Sequence, residues 1–218
     1  MNHGLDVIWI HRSELLAGLL STTALSALSA ACSLVTGTVL STVLMSRQRV
    51  PASMARVFVD LMRCTPFLLL VYVIYYGLPS FGIRLDNISA GFFGLVIYNT
   101  AYVAEILRAG WANRPREELE AGHAFGFHGV QLVRRLVLPP VFYSSAPMLG
   151  NQFIQIVKDS SFLTIIAVPE LTYAANNIQS NHYIPFAAFI AAVLLYWIVC
   201  SAIELIVSAM RRVSEQYQ

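Results

Sequence analysis

The chain has 218 residues, of which 57% are hydrophobic and 12% charged, with a formal net charge of +2. Soluble domains carry about 25% charged residues, so this chain lacks the charge to coat a globular surface, and a bilayer is the alternative solvent. The small net charge makes no case for nucleic acid, and Cys32, Cys64 and Cys200, odd in number and far apart inside apolar stretches, form neither a zinc nor a disulfide pattern.

A helical membrane span takes about 20 consecutive apolar residues, and five such spans are predicted. The first falls within residues 15–45, uncharged throughout. Ser29-Ala30-Ala31-Cys32 faintly resembles a lipoprotein cleavage site, but the apolar stretch is too long for a signal peptide and continues past Cys32, so a retained span is expected. The second runs over about 57–78, with Pro66 expected to weaken or kink it and Gly77, Leu78 and Pro79 to end it. The third covers about 88–107. After a polar segment of about 108–139 the fourth covers about 141–157, and the fifth about 184–209, closed by Arg211 and Arg212. The apolar piece 160–168, cut off by Pro169 and Glu170, is too short to cross and reads as a buried or re-entrant element. The expected fold is therefore an all-α membrane protein, one transmembrane domain over residues 1–218.

Arginine placement orients it, because short cytoplasmic loops are rich in Lys and Arg. Arg47, Arg49, Arg56, Arg108, Arg114, Arg116, Arg134, Arg135, Arg211 and Arg212 fall on one side, against Arg12 and Arg84 on the other. The N-terminus is thus expected outside and the C-terminus in the cytoplasm. An odd number of spans does not suit two inverted halves, and no internal repeat is visible.

The polar segment reads as a helix–turn–helix at the cytoplasmic face. Pro115 suits a first helical turn, and Glu117, Glu118 and Glu120 follow where the helix dipole favours carboxylates. Gly126 and Gly129 break the helix, and a second amphipathic run over 130–138 ends at Pro139-Pro140. Glu120-Ala121-Gly122, then Gly126, then Leu136-Val137-Leu138-Pro139 resembles the "EAA" loop of ATP-binding-cassette (ABC) import permeases, with Gly122 in place of the second Ala and Leu136 in place of Ile. Arg63-Cys64-Thr65-Pro66, Ala101-Tyr102-Val103-Ala104-Glu105-Ile106, and Lys158-Asp159-Ser160-Ser161 with Pro169-Glu170-Leu171-Thr172 resemble, in family order, the span motifs of the polar amino-acid permeases (histidine/glutamine/arginine type). Cys64 departs from the usual Gly, and Leu70 stands where many relatives carry Gln.

That resemblance implies a type I importer fold whose loop helix sits in a groove of a separate ATPase. Glu120, Ala121, Gly122, Gly126, Leu136, Leu138 and Pro139 would then be the coupling residues. It further implies two cytoplasmic ATPase subunits using ATP and Mg, a second identical or similar permease subunit, an extracytoplasmic binding protein, an amino-acid cargo, and residence in a bacterial cytoplasmic membrane. The chain has no G-x-x-x-x-G-K-[ST] loop of its own and no glycine followed directly by Lys, so no enzymatic site and no cofactor are expected on it.

Ionisable and amide side chains inside the spans are the candidates for a translocation path. Glu105 either pairs with Arg108, snorkels towards water, or faces the path. Asn151, Gln155 and Asp159 are spaced by four and share a helix face, which suits a cavity or a subunit interface equally, with Gln152 at its edge. For a zwitterion, Asp159 or Glu105 suits the ammonium, and Asn151, Gln155, Thr65 or free backbone amides suit the carboxylate. Arg63 is expected to pair with Asp60, and Glu204 to lie at an interface or snorkel. His123 and His128 lie in the loop while His11 and His182 have no sequence neighbour, so no metal site is expected. Rival readings are a permease for another small polar solute, an ATP-independent secondary transporter, and a non-transporting scaffold.

Overall fold

The computed structural model describes residues 2–46 and 48–215; the side chains of Asn2, His3, Arg116 and residues 210–215 are left undescribed. Arg47, and the side chains of Arg116, Arg211 and Arg212, therefore lie outside the described residues. Every regular element among the described residues is helical: α1 (Asn2–Ile10), α2 (Arg12–Leu44), α3 (Arg49–Cys64), α4 (Phe67–Tyr72), α5 (Asn87–Ala112), α6 (Arg116–Ala124), α7 (Gly129–Leu132), α8 (Leu138–Asp159), α9 (Leu171–His182) and α10 (Pro185–Glu215), with short π or 3-10 turns between some of them.

Three helices are long and apolar enough to cross a membrane, α2, α5 and α10 over Pro185–Ala209. A fourth candidate is the pair Arg49–Cys64 and Phe67–Phe81, which bends by 107°. The kink expected at Pro66 is thus a sharp break between two helices. Thr65 (φ −100°, ψ 131°) and Pro66 (φ −63°, ψ 133°) are both extended, because the proline ring drives the residue before it out of the helical region. The chain ends this stretch in a π turn (Val73–Gly77) and a 3-10 turn (Leu78–Phe81), stopped by Gly82 in the left-handed region at φ 81°. The stop is thus a few residues beyond the expected Gly77–Pro79. At the entry to α5, Asp86 accepts a hydrogen bond from the Ser89 amide at 3.1 Å. Hydrogen bonds from Ser89 hold the Asp86 carboxyl below the usual carboxylate range.

α2 and α5 form the centre. One face of α2 carries Gly18, Thr22, Ser26, Ser29, Ser33, Gly37 and Ser41, all buried and spaced by three or four. Small residues let two helix backbones approach closely where lipid offers no hydrophobic drive, and a Cβ at Gly37 would lie 2.6 Å from the Val103 side chain of α5. Around this pair, Val71, Leu95, Ile156 and Leu163 bury one apolar core, and Leu15, Leu171, Ile178 and Ala188 another.

The region between α8 and α10 is more ordered than a re-entrant loop needed to be. Ser160–Ile166 forms a 3-10 turn, Ala167 turns the chain at φ 58°, and Glu170 opens α9. Glu170 is fully buried. Its oxygens accept from the amides of Thr172 (2.8 Å) and Tyr173 (2.7 Å) and from the Tyr196 hydroxyl of α10 (2.7 Å), while the Leu171 amide donates to Thr22 of α2 at 3.1 Å. The apparent interruption at Pro169-Glu170 is therefore a helix cap that ties three elements together.

Candidate functional site

The polar segment folds as a hairpin standing at one end of the bundle. Pro115 precedes α6 as its N-cap (φ −56°, ψ 136°) rather than occupying its first turn. Glu117 and Glu118 do lie in that turn, where the dipole favours them, and Glu118 pairs with Arg114. Past Phe125, Gly126 (φ 81°) and Gly129 (φ 54°) take left-handed backbone, which is costly for residues carrying a Cβ. A Cβ on Gly126 would meet nothing within 4 Å, so backbone angle and not space selects glycine there.

Gly122 is chosen by space. It is buried, and a Cβ on it would collide with the Leu136 tip and lie 2.8 Å from Leu132 Cδ1. The two departures from the "EAA" pattern are thus in contact: Leu136 fills the room that Gly122 leaves. Glu120, Ala121, Gly126 and Pro139 are exposed, and Leu136 and Leu138 half-buried. Phe125 is 84% exposed and Val130 82%. Arg114, Glu118, Ala121, Phe125 and Phe127 line a cavity of about 400 Å³ beside Gly122. Pro139-Pro140 do not end the second limb as expected. α7 passes through a π turn (Val133–Val137) into α8, whose first turn holds Pro139, and proline is tolerated there because the first amides of a helix have no intrahelical partner.

A second polar group lies between α5 and α8. Asp159 is 3% exposed. Gln155 Nε2 donates to its Oδ1 at 2.8 Å, and its buried Oδ2 has no partner. Gln152 leaves this stripe and donates to Asn99 Oδ1 on α5 at 2.6 Å, while Asn99, wholly buried, donates to the Leu95 carbonyl at 2.8 Å. Tyr98 and Tyr102 share a hydrogen bond of 3.2 Å, and Phe67, just past the α3–α4 break, tilts against Tyr98 at 5.2 Å. Asn151 is exposed and outside these contacts. Asn99 was not among the candidates read from the sequence; the signal that could have found it is an amide on an otherwise apolar span.

Glu105 sits elsewhere. Arg108 donates to it through Nε (2.7 Å) and Nη2 (2.8 Å), and Arg63 Nη1 lies 3.7 Å away. The expected Arg63–Asp60 pair is absent among the described residues, because the bend at Pro66 brings the end of α3 against α5. Thr65 is half-buried, its hydroxyl donating back to the Leu61 carbonyl at 2.8 Å. Glu204 is exposed. His11 and His182, expected to be isolated, meet with ring centroids 4.6 Å apart and planes tilted by 48°, with Glu14 2.7 Å from His11 Nδ1; the α1–α2 corner and the end of α9 meet in space.

Apolar helices long enough for a bilayer, a buried amide and carboxylate group among them, and a short charged hairpin outside them define a membrane transport component. The family of "binding-protein-dependent transport system inner membrane component" proteins matches residues 20–213, and the chain belongs to it. It is 37% identical over 139 residues to the probable glutamine ABC transporter permease protein GlnM of Bacillus subtilis, a match covering 64% of each chain and so just under two thirds of that relative. To the L-cystine transport system permease protein TcyB of the same organism it is 32% identical over 162 residues, 74% of this chain and 69% of the relative. An amino acid ABC transporter crystallised with histidines superposes with a TM-score of 0.86 at 28% identity, over 94% of this chain and 96% of that one. The resemblance read from the sequence and the type I permease fold are thereby borne out.

Proposed function

We propose that this chain is the permease subunit of an ATP-driven amino-acid importer, supplying half of a translocation pathway and coupling it to ATPase subunits that are separate chains. One observation carries the reading: the Glu120–Pro139 hairpin stands outside the bundle, is locked by the Gly122–Leu136 contact, and runs without a break into α8, which holds Asp159. Glu120, Ala121, Phe125 and Val130 face outwards and form the surface offered to an ATPase groove, while Gly122, Leu136, Leu138 and Pro139 fix the hairpin to the bundle, with Gly126 as its elbow. The reading treats the chain as one domain with five spans: α2, the bent α3–α4 pair, α5, α8 and α10. The arginine bias supports an outside N-terminus and a cytoplasmic hairpin and C-terminus.

Asp159, with its unpartnered Oδ2, is the group best placed to receive a substrate ammonium. Glu105, already neutralised by Arg108 and Arg63, serves better as a brace between α3 and α5 than as a substrate ligand. The proposed assembly holds two ATPases that hydrolyse ATP with Mg, a second identical or similar permease, and an extracytoplasmic binding protein, in a bacterial cytoplasmic membrane. The relatives' named cargoes, glutamine and cystine, support an amino acid as the solute. The test is uptake in proteoliposomes holding the whole complex. Glu120→Lys is expected to abolish ATP-dependent uptake while the chain still inserts and the pairing of Gln155 with Asp159 is untouched; normal uptake by that variant would defeat the coupling assignment.

A further inference from the structure

The hairpin carries a pair of side chains to which the reading above gives no role. His123, in the last turn of α6, and His128, the N-cap of α7, are five residues apart, yet the Phe125–Gly129 turn brings their Nδ1 edges together. Their ring centroids are 5.4 Å apart with planes 27° from parallel, and their Nδ1 atoms are 3.3 Å apart. Both side chains are exposed.

At 3.3 Å the pair makes a poor hydrogen bond: good N–H donors sit at about 2.7–3.2 Å from their acceptor, and water competes at an exposed site. The same separation fits another chemistry closely. Two nitrogens each about 2.0–2.1 Å from a tetrahedral ion stand about 3.3 Å apart. The backbone also presets the pairing, because Gly126 and Gly129 hold left-handed angles that other residues resist. Imidazole nitrogen selects borderline divalent ions such as Zn²⁺, Ni²⁺ and Cu²⁺ over Mg²⁺ or Ca²⁺, which take oxygen.

We propose that His123 and His128 form a two-ligand site for a zinc-class divalent ion, which clips α6 to α7 across the glycine elbow. Each ring gives its Nδ1 lone pair and keeps its proton on Nε2, so two neutral imidazoles bind without releasing a proton, and acid displaces the ion. No group of three or more metal-ligating side chains occurs among the described residues; water fills the remaining positions, and affinity is correspondingly modest. The site is independent of which solute the chain carries.

The test uses the intact transporter complex, free of any polyhistidine tag, near neutral pH, with Cu²⁺ as the probe. Electron paramagnetic resonance is expected to show nitrogen hyperfine structure from imidazole, removed by excess Zn²⁺ or by acidification. His123→Ala and His128→Ala are each expected to weaken binding by about tenfold or more, since losing even an outer-shell partner costs about 10–100-fold. Both side chains are exposed, so neither change disturbs the core. The double variant His11→Ala/His182→Ala, which removes the other close histidine pair, is expected to keep the signal. A signal unchanged in His123→Ala or His128→Ala, one lost only in the His11/His182 variant, or no binding by the wild type overturns the proposal.

Discussion

Gly122 lets the packing of the hairpin be tested by a substitution that helix propensity alone would favour. Gly122→Ala restores the Ala expected at this position and, in an exposed helix, would gain about 0.5–1 kcal/mol. Here the new methyl enters space held by the Leu136 tip and lies 2.8 Å from Leu132 Cδ1. Both leucine tips then have to leave their rotamers, and overpacking of this kind costs about 1–3 kcal/mol. The expected balance is a loss of about 1 kcal/mol, which raises the population of the opened hairpin about fivefold. Hydrogen exchange of the α6 amides in the assembled complex reads that population directly. Leu136→Ala removes one obstacle, so the double variant Gly122→Ala/Leu136→Ala should be less destabilised than the two single changes summed, by about 1 kcal/mol. Slower exchange in Gly122→Ala, or strict additivity in the double variant, would refute the idea that the two residues share one space.

Asp159→Asn keeps the size of the side chain and the acceptor for Gln155 but removes the negative charge. If Asp159 receives an ammonium, uptake should fall about tenfold or more, which corresponds to about 1.4 kcal/mol, with basal ATP hydrolysis unchanged; wild-type uptake would rule the role out. Tyr196→Phe removes the donor that reaches Glu170 at 2.7 Å and leaves a wholly buried carboxylate less satisfied. A loss of about 1–3 kcal/mol is expected, read as a lower thermal unfolding midpoint of the purified complex in detergent, and an unmoved midpoint would show that the cap is redundant.

The parts of this fold that were legible from sequence rest on local chemistry. Long apolar runs marked α2, α5 and α10, and the spacing of Glu120, Gly126 and Pro139 marked the hairpin. Pro66 announced a break but not its angle, because a proline forbids helix without choosing the extended path that follows. The pairing of Arg63 was misread for the same reason: Asp60 is a neighbour along α3, whereas Glu105 becomes one only after a 107° bend. His11 and His182 met for reasons that lie in the packing of α9 against α2, which no local pattern encodes. Asn151, Gln155 and Asp159 were correctly placed on one helix, yet only contact with α5 separates the exposed Asn151 from the buried Asp159 and draws Gln152 across to Asn99. Pro139-Pro140 looked like a terminator because two prolines usually are; placed in the opening turn of α8, they cost no amide that had a partner.

Because α7, its π turn and α8 follow one another without a gap, Leu136 and Asp159 lie on one helical rod. The 23 residue steps from one to the other span about 35 Å at 1.5 Å per residue, with amides missing at Pro139 and Pro140 in the opening turn of α8 and at Pro147, opposite the Tyr143 carbonyl. A rod of that length magnifies angle into distance: tilting it by about 5° about its Leu136 end sweeps Asp159 sideways by roughly 3 Å. That is the width of one hydrogen bond, enough to bring a carboxylate to a solute or take it away.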